Sequence, residues 1–311
     1  MQSSVSLVIP FYNRETLLPR TLKSVAESSL FPAHVVLVDN GSADGSLDVC
    51  RQWRAEHPDL RVTIVQETTP GAAAARNRGL QEVDTPWVYF FDSDDVFDPD
   101  ILADLQPHLT ETLDFVAVTT RQIVNGKAAV RHFRPTDDPA CQILYSHLNT
   151  LSMVFRTDFL RGIDGWDARC RIWDDWELGL RSLLAKPRMC WLTQKAYHRI
   201  DIQPNGITGS GFCDKSERLL RVLHIAADDI RGTVTDVAAR RRLLKALYLR
   251  HSILAGRLLA EGDKAGVRMA LQQRQEICGS AGAILRSEGW IITRLTACGL
   301  PGTWRLAMLF V

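Results

Sequence analysis

The 311-residue sequence holds seven cysteines, at 50, 141, 170, 190, 213, 278 and 298, and no two form a C-x-x-C pair. This scatter supports neither a zinc site nor a disulfide framework, so reduced thiols in a cytoplasmic setting are expected. No apolar run approaches the roughly 20 residues of a membrane-spanning helix. Met1-Gln2-Ser3-Ser4 leads straight into the first apolar run with no basic segment, so no secretory signal is expected. No G-x-G-x-x-G follows that first run and no G-x-x-x-x-G-K-[ST] occurs, which leaves dinucleotide and P-loop readings without support. The net charge is only +1, but it is unevenly spread. Residues 216–311 carry 15 Lys/Arg against 8 Asp/Glu, a balance of +7, and residues 1–215 carry −6. An acidic body with a basic tail suggests that the tail meets something anionic.

What the sequence does contain is ordinary globular composition, 46% hydrophobic and 23% charged, enough for one or two domains. In the first hundred residues, strand-like runs alternate with helical periods. Val5–Ile9, Val35–Val38, Val62–Val65 and Trp87–Phe91 read as buried strands, the first stopped by Pro10. Helical spacing covers Glu15–Ser28, the stretch from a capping Asp44 to Glu56, and the Ala-rich run Gly71–Leu80. This alternation predicts βαβ units and a parallel sheet. Each strand ends in polar residues: Tyr12 and Arg14, then Asp39, then Asp92 to Asp95. In a doubly wound sheet such tips converge on one crevice.

The fourth strand, Trp87-Val88-Tyr89-Phe90-Phe91, runs into Asp92-Ser93-Asp94-Asp95. Crowded carboxylates repel one another. A hard cation such as Mg²⁺ or Mn²⁺, carrying a diphosphate, would relieve that repulsion. A solvated acidic turn is the plainer alternative. Beyond residue 100 the elements become shorter and mixed. A helix is predicted from Asp98 to His108, strands over Phe115–Val118, Leu151–Phe155 and Met189–Thr193, and a two-residue hairpin turn at Asn125-Gly126. A short helix covers Thr157–Gly162, and Leu178, Leu180, Leu183 and Leu184 suit a helix with Asp174 or Asp175 near its start. Ser216–Ile230 and Val237–Ala260 are helical by period, with a joint over Leu258–Ala265. Trp290–Val311 mixes apolar and basic residues, as in a helix lying on an anionic surface, although packing on the catalytic part is the simpler role.

Four motifs then carry a resemblance. Val5-Ser6-Leu7-Val8-Ile9-Pro10-Phe11-Tyr12-Asn13-Arg14, Val35-Val36-Leu37-Val38-Asp39-Asn40-Gly41-Ser42, Gly71-(x)3-Ala75-Arg76-Asn77-x-Gly79-Leu80 and Phe90-Phe91-Asp92-Ser93-Asp94-Asp95 occur in this order. Together they resemble the family 2 glycosyltransferases, strongly over residues 4–100 and more weakly over 150–210. The resemblance implies an α/β chain of GT-A type: a Rossmann-like, mostly parallel central sheet with flanking helices, plus a helical C-terminal extension. It implies a catalytic domain over 1–215, with a nucleotide-binding half (1–100) and an acceptor-side half (101–215), followed by a basic helical region over 216–311. The implied reaction is inverting, metal-assisted transfer of a sugar from a nucleotide-sugar, a UDP-sugar first, to a hydroxyl of a glycan or lipid-linked acceptor.

Carried over residue by residue, the resemblance has Pro10 and Tyr12 walling the base and ribose, with Arg14 and Ser93 also at the donor. Asp39 accepts from the base, Arg76 meets phosphate at a helix start, and Asp92 holds ribose or sugar. Asp94 ligates Mg²⁺ or Mn²⁺, and Arg199 reaches the diphosphate. His198 or Asp201 supplies a further metal ligand, a choice the sequence leaves open. Asp175 falls on the position of the general base, and capping alone is the alternative there. Asn40 departs from the acid that many relatives carry. Trp166, Trp173 and Trp176 could stack on sugars or fill the core, and Pro204–Gly211 suits a lid or a linker. The expected partners are the donor, the acceptor and a membrane surface touched peripherally by the C-terminal region. A homodimer stays open and no nucleic acid is expected. The implied setting is a cytoplasmic enzyme of polysaccharide biosynthesis, with peripheral binding to the inner membrane face as an open extension. Two rivals stand. Asp92-Ser93-Asp94-Asp95-Val96 fits the D-x-D-x-[TV] pattern of haloacid-dehalogenase-like phosphotransferases, with Asp92 as nucleophile. The other is a non-catalytic nucleotide-sugar-binding protein.

Overall fold

The computed structural model describes residues 2–124, 127–130, 135–201, 211–278 and 282–311, without the side chains of 121–124, 127–130, 199–201 and 278. The chain forms two units. The first gathers Met1–Pro135, Leu148–Arg171 and Pro187–Gln203; the second gathers Thr136–His147, Ile172–Lys186 and Pro204–Val311. No described helix is long and apolar enough to cross a membrane.

The first unit is built on one sheet. Its strands are β1 (Val5–Phe11), β2 (His34–Asp39), β3 (Val62–Gln66), β4 (Trp87–Phe90), β5 (Phe115–Val124), β6 (Lys127–Val130), β7 (Met153–Arg156) and β8 (Met189–Asp201). The order is β3-β2-β1-β4-β7-β5-β6, with β8 pairing β5. β1, β2, β3 and β4 run parallel, as the alternating sequence pattern predicts. β4–β7, β7–β5 and β5–β6 are antiparallel, and β8 is parallel to β5. β5 and β6 pair with Val124 opposite Lys127, and the Asn125-Gly126 turn between them lies outside the described residues. The flanking helices are α1 (Leu18–Ala26), α2 (Ser46–Glu56), α3 (Ala72–Gln81), α4 (Ile101–Leu105) and α6 (Thr157–Gly162).

The order fixes where a ligand can bind. The chain lays β1, β2 and β3 outward in one direction, then returns to place β4 on the other side of β1. That reversal is the switch point at which open α/β sheets hold ligands, beyond the carboxyl ends of the strands. β1 and β4 are buried along their lengths, so their apolar residues anchor the sheet while the polar residues that follow are pushed out at its edge. β1 continues through Pro10 to Phe11, two residues beyond the predicted end at Ile9. Val8 O accepts from Phe91 N, so Val8 and, two residues on, Pro10 aim their main chains toward β4. Register with β4 ends at Val8 and Phe90, so the missing proline donor costs no ladder bond.

The second unit holds α5 (Pro139–Tyr145), α7 (Asp174–Leu184), α8 (Ser216–Thr233), α9 (Val237–Ala260), α10 (Lys264–Cys278), α11 (Ala283–Ala297) and α12 (Thr303–Leu309). α5 was not foreseen in the sequence: it is a short turn of helix capped by Asp138, whose side chain accepts from Ala140 N. The predicted lid stretch falls mostly on residues 204–210, outside the described residues.

His198 corrects one expectation. It is fully enclosed beneath β4, among Tyr89, Phe91 and Phe97. Asp98 N donates to its Nδ1 at 3.0 Å, which leaves the proton on Nε2, 2.5 Å from the Tyr89 hydroxyl. That hydroxyl in turn donates to Leu151 O. Both ring nitrogens are spent inside the protein, so His198 is a structural residue and not a metal ligand. The alternative ligand Asp201 has its side chain outside the described residues.

Two outcomes follow from this packing. Gly79 of α3 lies so close to the sheet that an added Cβ would sit 2.3 Å from Val8 Cγ1 and 3.0 Å from Val38 Cγ2, whereas Gly162 has nothing within 4 Å. Gly79→Ala should cost about 1–3 kcal/mol in denaturant unfolding, and Gly162→Ala under about 0.5 kcal/mol; equal stability of the two variants would contradict the close contact. Burial holds the His198 ring neutral down to about 3, and His147 and His251 down to about 4. Below pH 6.5 the unfolded chain takes up protons that these rings refuse, so stability is lost as pH falls from about 6.5, by up to about 1.4 kcal/mol per unit for each ring. Unfolding at pH 7.5 and pH 5 should show the fall, and His198→Gln should make it shallower. An unchanged slope would contradict the neutral buried ring.

Candidate active site

Three strand tips meet at the switch point. Because β1 lies between β2 and β4, the residues after each strand emerge on neighbouring strands. Tyr12, Asn13 and Arg14 follow β1; Asp39 closes β2; Asp92, Ser93 and Asp94 follow β4. Tyr12 is 56% exposed and offers a free ring face, whereas Pro10 is buried in the strand behind it.

The loop after β1 is stapled to the loop after β2. Asn13 takes a left-handed conformation (φ 50°), which asparagine tolerates better than most side chains. Its Oδ1 accepts from Ala43 N, and its own N–H donates to Ser42 Oγ. Arg14 N donates to Ser46 Oγ, and Glu15 bonds both Asp44 and Gly45 N. Asp39 is almost fully buried; its Oδ1 accepts from Ser42 N and its Oδ2 from Gln66 Nε2 at 3.2 Å.

The acids after β4 are compensated by arginines from other elements. Asp92 pairs with Arg76 at 2.7 Å. Arg76 is 5% exposed in the second turn of α3, with its guanidinium 4.3 Å from the Trp166 ring centre. It therefore reaches the site through Asp92 and not as an open phosphate clamp at the helix start. Arg14 lies 3.5 Å from Asp94, and Arg20 of α1 donates to the Asp94 carbonyl. Ser93 is buried between the two acids.

Burial, reinforced by the neighbouring charge of Asp92, raises the Asp94 carboxyl above its usual range, and Arg14 offsets this only in part. Such a group gains from a cation. Among the described residues, no three His, Cys, Asp or Glu side chains gather as a metal site. One or two carboxylates suffice for Mg²⁺ or Mn²⁺ when phosphate oxygens and waters complete the shell. The residues present therefore fit a cation that arrives with a diphosphate.

Several contributors escape sequence reading. Asn40, noted only as a departure, donates to Glu67 O and Thr69 O and accepts from Gly71 N. An aspartate could not make the two donations, so the amide ties down the loop leading into α3. Arg171 donates to Pro70 O in that loop. Asn77 of the Ala-Arg-Asn motif bonds both the N–H and the carbonyl of Trp166, a structural use of a motif residue. Nothing in the spacing announces Arg20 or Arg171 as partners, because both reach across the fold.

Asp174 and Asp175 belong to the second unit, in the first turn of α7. Asp175 Oδ1 accepts from Trp176 N at 2.7 Å. Trp173 precedes them with φ 53°, strained for so bulky a residue. Arg250 lies over the Trp173 ring at 4.6 Å and is bonded to Leu144 O and Ser146 Oγ, which fixes that turn. Trp166 and Trp176 are core residues, and only Trp173 keeps partial exposure. Arg199 stands opposite Arg121 in the β5–β8 ladder, and its side chain lies outside the described residues.

The chain is similar to known proteins in both sequence and fold. It is 25% identical over 253 residues to poly(ribitol-phosphate) beta-N-acetylglucosaminyltransferase TarS of Staphylococcus aureus strain MW2, covering 79% of this chain and 44% of that one. It spans less than half the length of the first curated relatives it matches. The crystal structure of S. aureus TarS 1–349 in complex with UDP-GlcNAc superposes with a TM-score of 0.74 at 19% identity, over 99% of this chain and 90% of that one. The mannosyltransferase PcManGT from Pyrobaculum calidifontis, in complex with GDP-Man and Mn²⁺, gives 0.58 at 18% identity, over 98% and 83%. These likenesses show the GT-A fold. The model of "Glycosyl transferase family 2" matches residues 6–164, just over half of the chain, and the protein belongs to that family.

Proposed function

We propose that the protein is an inverting glycosyltransferase that moves a sugar from a nucleotide-sugar, a UDP-sugar first, to a hydroxyl of a glycan or lipid-linked acceptor. Family membership supports transfer. The observation that carries the reading is the pair of compensated acids, Asp92 and Asp94, at the β1–β4 switch point. The complex of TarS with UDP-GlcNAc favours a uridine donor here, and the PcManGT complex favours a divalent metal. Relatives named for teichoic and teichuronic acid biosynthesis favour a role in the synthesis of such polymers.

In this reading residues 1–215 carry catalysis and 216–311 form a basic helical region. Tyr12 stacks on the base with Pro10 behind it, and Asp39 accepts from a base N–H. Asp92, oriented by Arg76, accepts from a ribose or sugar hydroxyl, and Ser93 lines the same edge. Arg14 and Arg199 meet diphosphate oxygens. Asp94 would hold Mg²⁺ or Mn²⁺, which when bound neutralises charge on the leaving diphosphate. Asp175 takes the proton of the acceptor hydroxyl as its oxygen bonds the anomeric carbon. The bond to the diphosphate oxygen breaks on the opposite face, which inverts that carbon. The phosphotransferase alternative loses support, because its motif follows a first strand and this one follows the fourth, with Asp92 held by Arg76.

Asp94→Asn should abolish the gain in UDP affinity that Mn²⁺ gives, measured by calorimetry. An identical gain in the variant would remove Asp94 from the metal. Asp175→Asn should bind UDP as the wild type does and lose transfer by roughly 10²–10⁴-fold, scored as UDP release with a panel of UDP-sugars and acceptor glycans. Normal turnover by the variant would remove Asp175 as the base.

A further inference from the structure

Exposed apolar side chains are not spread evenly over the protein. Among the described residues nine large ones are exposed, and five of these, Ile284, Trp290, Ile291, Leu300 and Leu309, fall in α11, α12 and their connection. Ile284 is 78% exposed, Trp290 61% and Leu309 81%. Scattered exposed apolar residues need no explanation, but a concentration on one element does.

Helical geometry puts most of this set on one side. α11 buries Gly289, Ile292, Thr293 and Thr296. That face is pressed onto α9: a Cβ on Gly256 of α9 would lie 2.5 Å from Thr293 O, so the two backbones touch. At about 100° per residue, Ile284, Ser287, Trp290, Ile291, Arg294 and Cys298 fall on the opposite arc. The close crossing fixes α11 in rotation, so this arc is held outward. α12 repeats the arrangement. It buries Thr303 and Ala307, packs Trp304 edge-on against Tyr145 of α5, and leaves Arg305 and Leu309 exposed.

The charges on these helices select the occupant. Residues 282–311 contain three arginines, 286, 294 and 305, all exposed, and one acid. That acid, Glu288, is 13% exposed and paired with Lys245. The outward charge is therefore of one sign. A symmetric contact with a second copy would set this basic face against itself. An anionic bilayer offers the complement: lipid phosphates for the arginines and the acyl boundary for the apolar chains. Trp290, with Arg294 at 5.6 Å from its ring centre, has the amphipathic form found at membrane interfaces. We propose that the outer face of α11 and α12 is a docking surface for an anionic phospholipid bilayer, on which the helices lie without crossing it. This goes beyond the transfer reaction and does not depend on it.

The test is flotation of the full chain with vesicles of phosphatidylcholine containing a third phosphatidylglycerol, and with vesicles of phosphatidylcholine alone. The protein should float with the anionic vesicles at low salt and detach at high salt. Ile284→Asp combined with Leu309→Asp should lower the bound fraction roughly tenfold, and Arg294→Glu with Arg305→Glu should do the same. Both pairs should melt as the wild type does, since all four side chains are exposed. Wild-type protein that stays with the vesicle-free fraction, or variants that float as well as it does, would overturn the proposal. So would a wild-type dimer in light scattering that the Ile284→Asp, Leu309→Asp protein loses while neither binds vesicles.

Discussion

Everything at the candidate site depends on holding two carboxylates at the end of one buried strand. Asp92 and Asp94 follow β4 with a single residue between them, and the charge on Asp92 raises the cost of charging the buried Asp94. The fold meets that cost with arginines from elsewhere. Arg76 comes from α3 and is wedged between Asp92 and Trp166; Arg14 comes from the loop after β1 and Arg20 from α1. None of these arginines works unless β1 and β4 are neighbours and α3 packs tightly on the sheet. The contact of Gly79 with Val8 and Val38 supplies the second condition. Packing in the core and charge at the rim are thus one constraint. The compensation is incomplete at Asp94, where burial still raises the carboxyl, and that residual deficit is what a metal and diphosphate would satisfy together.

The first hundred residues are legible in the sequence because each strand is a short apolar run, buried throughout in β1, β2 and β4 and half-buried in β3, and the tips are polar. The same alternation identifies the parallel half of the sheet and, through the ordered motifs, the family. The limits of sequence reading are equally physical. Pro10 looks like a strand stop, yet its position in the ladder needs no donor. His198 looks like a ligand beside a metal site, but a one-dimensional pattern cannot show that Tyr89 and Asp98 already claim both nitrogens. Asn40 reads as a missing acid and is a staple whose two donations only an amide can make. Arg20 and Arg171 act across long sequence separations, where periodicity carries no signal.

The second unit is less legible because its helices pack on one another and not on a sheet with a fixed register. Periodicity locates α8 and α9, but it does not reveal α5, nor that Arg250 of α9 clamps Trp173 at the start of α7. That clamp stabilises a strained turn directly ahead of Asp175, and the outward arc of α11 is likewise set by backbone contact with α9. In both places a proposed functional surface depends on a helix whose own side chains are given no chemistry.

The central claim is that a nucleoside diphosphate binds at the β1–β4 switch point. Hydrogen–deuterium exchange of the protein with and without UDP and Mn²⁺ tests it most directly. The account predicts slowed exchange in peptides spanning Tyr12–Glu15, Asp39–Ser46 and Asp92–Asp95. Protection elsewhere in the first unit with these three unchanged, or no protection at saturating UDP, would contradict it.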